Sequence, residues 1–427
     1  MAEPVVTGSE SVSHSGESPL NLAPYLARLV TAQVALHATM AGFRMASPLL
    51  ALRLGYSPMA VGFLLALFSL TQVFLALPAG RFADRHGLRR PLGLYVCISC
   101  SGMFLATAFP IYPVLCFAAL CTGGAAGAAI VALQRHAGRL ADHPSQLKQI
   151  FSWLSLGPSV SNVVGPLAAG LMIDHHGFQA AFALLAIFPL FSWALVRAAT
   201  LREKPHEPAR SPVNGPTQEP HAAALSPRQS VWALLRQTSF KRLLIINWFL
   251  SASWDVHNFV IPLLGHERGI SAAVIGSLLG AFALAASTIR FFLPWLTRNV
   301  REGVVIGVAM VVTFAVFAVY PLMSNPWLMG VCAVLAGMSI GSVQPMIMSL
   351  LHQLTPPAQH GEALGLRLMT INASSVVMPL VFGSASALMG VGALFWVCAG
   401  VVGLGSALAW EMRVPASADG LNPTGSH

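Results

Sequence analysis

A carboxylate interrupts an otherwise aliphatic stretch at residues 251–262, SASWDVHNFVIP, where Asp255 is followed by His257 and Asn258. If this stretch crosses a membrane, an ionised group at its centre costs about 2.5–3.5 kcal/mol on insertion scales and normally faces water or a partner. Burial and neighbouring charges change the proton affinity of a carboxylate, so a motion that changes both can load and unload a proton. These residues therefore indicate proton binding within a membrane.

The composition indicates a membrane protein. Of the 427 residues, 55% are hydrophobic and 9% are charged, and the mean hydropathy is +0.69. The 24 basic and 15 acidic residues could not cover the two or three soluble domains expected at this length. We therefore predict an all-α polytopic membrane protein with twelve transmembrane helices, because apolar runs of about 20 residues can cross the hydrocarbon core. These runs are 24–50, 57–79, 91–110, 113–134, 151–173, 178–198, 242–264, 272–294, 303–322, 326–350, 362–386 and 390–411.

Lysine and arginine fall between alternate spans, and only Arg53 and Arg268 lie on the opposite side. Because short cytoplasmic loops are enriched in basic residues, this pattern predicts an inner-membrane protein with both termini in the cytoplasm. Arg367 is counted with the basic residues on the cytoplasmic side. The net charge of +9 then reports topology and not nucleic-acid binding, since the charges are dispersed among short loops.

Changes in composition divide the chain into five parts. Residues 1–23 are polar and lack a basic leader region, so they are predicted to form a disordered cytoplasmic tail, and 413–427 form a second tail. Residues 201–237 are rich in proline and charge and are predicted to be a cytoplasmic linker. The linker separates two six-helix bundles, 24–200 and 238–412.

The second bundle repeats the first at an offset of 214 residues. Matched glycine and proline are harder to obtain by chance than matched leucine. The matches include Pro48, Gly55, Ser57 and Gly62 with Pro262, Gly269, Ser271 and Gly276, and Gly123 and Gly127 with Gly337 and Gly341. Six spans is an even number, so the bundles share an orientation and are related by an axis along the membrane normal. Rocking one bundle against the other would expose the cleft between them to each side in turn, which is the geometry of a transporter.

The loop after the second span, GRFADRHGLRRP, resembles the cytoplasmic signature of the major facilitator superfamily, G-x-x-x-D-R-x-G-R-R. The matching residues are Gly80, Asp84, Arg85, Gly87, Arg89 and Arg90, whereas Leu88 and His86 depart from common family residues. Glycine permits close approach and sharp turning of the backbone. The resemblance implies that Asp84 is part of a latch that releases as the bundles rock. The corresponding loop of the second bundle has no aspartate, so the latch is predicted to be one-sided.

The fifth span contains GPSVSNVVGPLAAG, residues 157–170, which resembles a motif of proton-coupled exporters in the same superfamily. Its residues are Gly157, Pro158, Gly165, Pro166 and Gly170, and Ala169 replaces the first of two paired glycines. The alternative is ordinary close packing of small residues in lipid. The fourth span lacks the central arginine of many such exporters, so their coupling mechanism cannot be transferred as a whole.

Polar residues on the first and seventh spans occupy equivalent faces, and by resemblance these spans line the central cleft. We predict a substrate and proton cavity formed by His37, Arg44, Asp255, His257, Asn258 and Gln344. Asp255 is either the proton site or half of a fixed ion pair with Arg44 that holds the bundles together. The histidines are alternative proton sites because imidazole titrates near neutral pH.

Several other classes of function are not indicated by the sequence. The sequence contains no phosphate-binding loop, so direct coupling to ATP is not indicated. We also expect no enzyme activity, cofactor or metal. Asp174, His175 and His176 are predicted to form a short outer turn and not a metal site.

The resemblance implies a monomeric exporter of an amphipathic compound that exchanges its substrate for protons across the lipid bilayer. Two arginines deep within spans, Arg44 and Arg290, against the single aspartate Asp255 indicate a substrate that is anionic or zwitterionic. A dedicated siderophore, sugar or metabolite exporter, a proton-coupled importer and a transport-inactive sensor or scaffold remain alternatives.

Overall fold

The computed structural model describes residues 22–138, 144–200, 234–298, 300–356 and 359–410. The C-terminal tail and nearly all of the predicted N-terminal tail and linker lie outside these residues. Within the described ranges the chain is helical and contains no strand, so the prediction of an all-α fold is confirmed.

Twelve long helices account for almost all described residues. The segment Pro144–Thr200 is helical except at Gly177, whose φ of 85° and ψ of 177° divide it into α5 (144–176) and α6 (178–200). The others are α1 (Leu22–Arg53), α2 (Pro58–His86), α3 (Arg89–Ala108), α4 (Tyr112–Gly138), α7 (Thr238–Glu267), α8 (Ala272–Leu296), α9 (Glu302–Val319), α10 (Pro326–Leu354), α11 (His360–Met389) and α12 (Val391–Trp410). A 3₁₀ turn, Tyr320–Leu322, continues α9.

By length and composition alone, nine helical segments of the described chain can cross a membrane, and one of them is the 49-residue stretch Ile150–Ala198 that contains both α5 and α6. The two helices that are not sufficiently apolar are α1 and α7. They carry the polar stripes, including Arg44 and Asp255, and neighbouring helices cover them. Intramembrane polar residues usually face the interior of a bundle in this way.

The two bundles repeat local structure as well as sequence. Gly55 and Gly269 both have positive φ, 82° and 65°, in the turns that precede α2 and α8. Ser57 and Ser271 then cap those helices, each accepting a hydrogen bond of 3.4 Å from the N–H three residues later. The pseudo-symmetric arrangement is therefore confirmed at the level of turns and caps.

Glycines bring the two bundles into backbone contact. A Cβ on Gly276 of α8 would collide with the carbonyl oxygen of Pro166 on α5, and one on Gly62 of α2 would collide with that of Pro379 on α11. These paired contacts lie near the turns at Gly55 and residues 268–271. We call this end of the molecule the packed end, and the opposite end, which carries the α2–α3 and α10–α11 connections, the far end.

Candidate functional site

An ion pair joins the two bundles at the middle of the molecule. The guanidinium Nη2 of Arg44 on α1 lies 3.7 Å from Oδ1 of Asp255 on α7. The Asp255 side chain is only 3% exposed, whereas that of Arg44 is 23% exposed. The carboxylate is therefore enclosed while its cationic partner still reaches open space.

Two hydroxyl groups of α11 complete the surroundings of Asp255. Ser374 and Ser375 donate hydrogen bonds of 3.1 and 3.5 Å to its Oδ2. These serines were not predicted as site residues, although the pair stands out within the apolar eleventh span. Asp255 can thus hold a negative charge through one cation and two hydroxyl donors, and loss of that charge would weaken the tie to Arg44.

A pocket adjoins the ion pair and is lined by both bundles. Its polar residues are Arg44 and Asn162 from the first bundle and Asn258 from the second. The Asn258 amide donates to the carbonyl oxygen of Trp254, 2.8 Å away. The apolar lining consists of Met40, Ala41, Met45, Pro166, Trp254, Leu279, Phe282 and Ala283. Flexible methionines and aromatic rings suit an amphipathic ligand.

Prolines interrupt the hydrogen bonding of four helices around this site, α1, α5, α7 and α11. Proline has no N–H, so the carbonyl group four residues earlier loses its helical partner. The prolines are Pro48, Pro166, Pro262 and Pro379, and the residues four positions before them are Arg44, Asn162, Asn258 and Ser375. Broken helices at the level of the ligand are a recurrent feature of transporter binding sites.

The two histidines and Gln344 do not line the pocket. The ring of His257 is fully buried and stacks on Phe282 with centroids 4.0 Å apart, edge-on to Tyr320. Neither ring nitrogen of His257 has a hydrogen-bond partner among the described residues. His37 is partly buried on α1, and Gln344 on α10 accepts a hydrogen bond from Arg367. Of the six predicted cavity residues, therefore, only Arg44 and Asn258 line the pocket, and the enclosed Asp255 adjoins it through its ion pair with Arg44.

Arg367, which the sequence analysis counted with the basic residues on the cytoplasmic side, is a buried residue and was not predicted as one. It lies within α11 and is 7% exposed. Its Nη2 donates to Oε1 of Gln344, and its Nε has no partner among the residues that the structure describes. The basic bias of the cytoplasmic loops obscured a buried guanidinium.

The motif predicted as a loop after the second span is mostly helical, because Gly80, Asp84 and Arg85 lie within α2 and Arg89 and Arg90 begin α3. Gly87 ends α2 with φ 68°, and the guanidinium of Arg135 on α4 lies against Gly80, 3.1 Å from where a Cβ would stand. Arg135 also forms an ion pair with Asp84. Since α2 and α4 belong to one bundle, this contact joins helices within the first bundle. Arg85, Arg89 and Arg90 are exposed, and the latch function stays a prediction.

The second bundle has its own carboxylate at this end. Glu302, at the start of α9, accepts hydrogen bonds of 2.8 and 2.7 Å from Ser349 and Gln353 on α10. At the repeat offset, Ser349 corresponds to Arg135. The expectation of a latch in one bundle only is therefore incomplete. Residue 298 is the equivalent of Asp84 in the second bundle, and Glu302, four positions later, makes a related contact with uncharged partners.

The motif of α5 has two packing faces. Gly157 contacts Gln33 and Gly165 contacts the backbone of α1 at Gly42, whereas Pro166 and Gly170 contact α8 of the other bundle. Pro158 lies between them and is half-buried.

Asp174 extends the contact between α5 and α8. Its Oδ1 and Oδ2 accept hydrogen bonds of 2.9 and 2.8 Å from the N–H groups of Ala272 and Ala273, the first residues of α8. The prediction of a short turn at 174–176 is wrong, since these residues continue α5 up to the break at Gly177. A carboxylate at a helix N-terminus is stabilised by the unpaired N–H groups and the helix dipole.

Twelve helices in two similar bundles, with a buried ion pair and a pocket between them, define a multi-pass membrane transporter. A model of the Major Facilitator Superfamily matches residues 29–252 and again 243–426, and the chain belongs to this superfamily of secondary transporters.

Three similar proteins illustrate the range of the likeness. Multidrug resistance protein MdtG of Salmonella choleraesuis (strain SC-B67) is 26% identical over 355 residues, which cover 81% of this chain and 83% of the relative. The maltose permease of Geobacillus stearothermophilus is 29% identical over 218 residues, 50% of this chain and 49% of the permease. The crystal structure of a POT family transporter in complex with a thioalcohol-conjugated peptide has a TM-score of 0.71 at 13% identity and covers 90% of this chain and 94% of that one.

Proposed function

We propose that this transporter exports a small amphipathic organic compound in exchange for protons, with Asp255 as the proton site. The observation that carries the proposal is the ion pair between Arg44 and Asp255, because it joins the two bundles and adjoins the pocket that both bundles line. The multidrug resistance relative supports export of a small organic compound.

Competition for Asp255 would couple the proton to the substrate. While Asp255 is ionised, its attraction to Arg44 holds α1 against α7. Protonation removes that attraction and frees Arg44, which already reaches the pocket. Exchange requires that the proton and the substrate are not bound together, so the substrate must lie against the ionised Arg44–Asp255 pair and exclude the proton from Asp255.

The orientation follows from the basic residues. With both termini in the cytoplasm of an inner-membrane protein, the far end faces the cytoplasm and the packed end faces outward. The conformation described here would then be open inward. In this arrangement the protein acts as a monomer. Its bundles 24–200 and 238–412 rock against each other about the ion pair between Arg44 and Asp255, and residues 201–237 link them. Asp84 would exchange Arg135 for a partner in the other bundle when the far end closes, which is the predicted latch action.

The decisive test is the variant Asp255→Asn in proteoliposomes with an imposed pH gradient and a panel of amphipathic cations, neutral compounds and anions. Asparagine keeps the shape and can still accept from Ser374, so we expect a folded protein whose pH-driven flux is lost. The matched control is Glu267→Gln, which neutralises an exposed carboxylate at the end of the same helix. Full pH-driven flux in Asp255→Asn, or loss of flux in both variants, would remove Asp255 from the coupling and leave the pair as a structural tie.

Import is the second candidate, because the chain also resembles a maltose permease over half its length. Flux measured separately in right-side-out and inverted vesicles decides the direction. The imposed gradient is acidic on the outer face of the membrane. If it drives compounds out of the cytoplasmic compartment, export is supported, whereas accumulation of compounds in that compartment supports import.

A further inference from the structure

Two arginines approach one face of α10 in the second bundle. Arg290 of α8 donates from Nε to the carbonyl oxygen of Gly341, 3.4 Å away. Arg367 of α11 donates to the side chain of Gln344. Gly341 and Gln344 are three residues apart, so they lie on the same face and about 4.5 Å apart along the helix axis. The two guanidinium groups therefore converge on one turn of α10 from the helices on either side.

The turn of α10 is shaped to hold them. Pro345 has no N–H, and the residue four positions before it is Gly341, whose carbonyl group consequently lacks its helical partner. That carbonyl oxygen is the group that accepts from Arg290. A proline in the middle of α10 thus creates the acceptor that fixes one of the two cations.

These cations have no anionic partner in the described part of the chain. The ion pairs found there are Arg44–Asp255 and Arg135–Asp84. Arg367 is 93% buried, since 7% of it is exposed, and its Nε has no hydrogen-bond partner among the described residues. A buried guanidinium such as that of Arg367 is unfavourable without a countercharge unless another negative group neutralises it. Arg290 is exposed, so it can also meet an anion that enters from outside the bundle.

The repeat shows that this feature is specific to the second bundle. At the offsets of 214 for α2 and α4 and 213 for α5, the first bundle has Ala76, Ile130, Val131 and Leu154 where the second has Arg290, Gln344, Pro345 and Arg367. Packing of the common fold therefore does not require these polar residues.

The two arginines also align with the central site. Ser374, which binds Asp255, and Arg367 are seven residues apart on α11, and Ala283, which lines the pocket, and Arg290 are seven apart on α8. Seven residues are nearly two turns, so each pair shares a helix face, separated by about 10 Å. The antiparallel courses of α8 and α11 place both arginines toward the far end.

We infer that Arg290 and Arg367 form an anion subsite that receives the carboxylate, sulfonate or phosphate group of the transported compound while its apolar part occupies the pocket near Phe282. The inference rests on the proposed transport function, and it names the substrate class as amphipathic organic anions. Guanidinium groups suit this role because they present several donors to planar or tetrahedral oxyanions.

Equilibrium binding to the purified full-length protein tests the subsite without requiring transport. The probes are 2-naphthoate and its uncharged amide, 2-naphthamide, which share a ring system and differ in charge. We expect the wild-type protein to bind the anion at least about tenfold more tightly, the size of one charge-assisted hydrogen bond. Arg367→Gln and Arg290→Gln should each remove most of that preference without weakening amide binding, and Arg367→Lys should restore part of it.

The matched control is Arg301→Gln, an exposed arginine near the same end, which should keep the full preference. Equal binding of the two probes by the wild-type protein, or an unchanged preference in the double variant, would overturn the subsite. If Arg367→Gln does not fold, Arg290→Gln alone decides. Failure of pH-driven flux in a protein that still shows the arginine-dependent preference would instead contradict the proposed transport function.

Discussion

At the scale of single residues, two glycines of α8 differ sharply in what surrounds them. A Cβ on Gly276 would overlap the Pro166 carbonyl oxygen of the other bundle, whereas one on Gly280 would lie 3.6 Å from Val163, an ordinary contact. The same helix therefore offers a disruptive position and a neutral one, one turn apart. The packed end depends on the first of them.

We predict that Gly276→Ala opens the packed end and Gly280→Ala does not. Overpacking of this kind costs about 1–3 kcal/mol, which should raise the open population between about fivefold and about 150-fold. The measurement is the labelling rate of Ala272→Cys, which is 6% exposed, by an impermeant maleimide in a background without the six native cysteines. Equal labelling rates in the two glycine variants would show that backbone contact at Gly276 does not hold this end closed.

The central pair illustrates how far the site could be predicted. Arg44 and Asp255 occupy deep positions that only a partner could make tolerable, so their residue types and the repeat were enough to predict the pairing. His257 could not be placed in the same way, because an imidazole two residues from Asp255 lies on a different face and is small enough to pack between aromatic rings. Arg367 was missed because span ends and buried positions look alike in a sequence rich in basic loops. Comparison with Leu154, its repeat equivalent, would have revealed it.

At the scale of helices, the contact between Asp174 and the start of α8 has no counterpart in the other half. The equivalent position on α11 is Ala387, at the repeat offset of 213. The α2–α11 contact therefore relies on close packing alone, while the α5–α8 contact adds a carboxylate on a helix N-terminus.

We predict that Asp174→Asn weakens the α5–α8 contact by about 0.3–1 kcal/mol, because asparagine keeps one acceptor oxygen but loses the negative charge that the helix N-terminus stabilises. The control is His175→Asn, the exposed neighbour, which should have no effect. Labelling of Ala272→Cys measures both variants, and an unchanged rate in Asp174→Asn would show that this carboxylate does not stabilise the closed packed end.

The helices themselves were largely predictable, and their ends were not. All twelve apolar runs correspond to helices, but α2 continues to His86 and α5 begins at Pro144, beyond the predicted limits of 79 and 151. The length of an apolar run reflects the thickness of the hydrocarbon core. The helix itself can extend into the aqueous region, because its backbone hydrogen bonding continues until a turn residue stops it. Gly177 was expected only as part of a connection, and its positive φ makes that connection a single residue.

At the scale of the whole molecule, the two ends should respond in opposite directions. We predict that Gly276→Ala, by opening the packed end, brings the far ends of α5 and α11 together. Spin labels at Phe151 and Leu368, both exposed near the far end, measure this distance in lipid nanodiscs. A shorter distance is expected in Gly276→Ala and not in Gly280→Ala. An unchanged distance, with labelling at Ala272→Cys increased, would mean that the ends open independently.

The brevity of the turns at the packed end has a consequence for recognition by other proteins. The connections there are residues 54–57, 109–111, Gly177, 268–271, 320–325 and Gly390, and the longest of them includes the 3₁₀ turn Tyr320–Leu322. Proteases cleave preferentially at exposed loop tips, and these short connections offer few of them. This face therefore offers proteases few cleavage sites, and an affinity reagent raised against it would have to recognise the ends of helices.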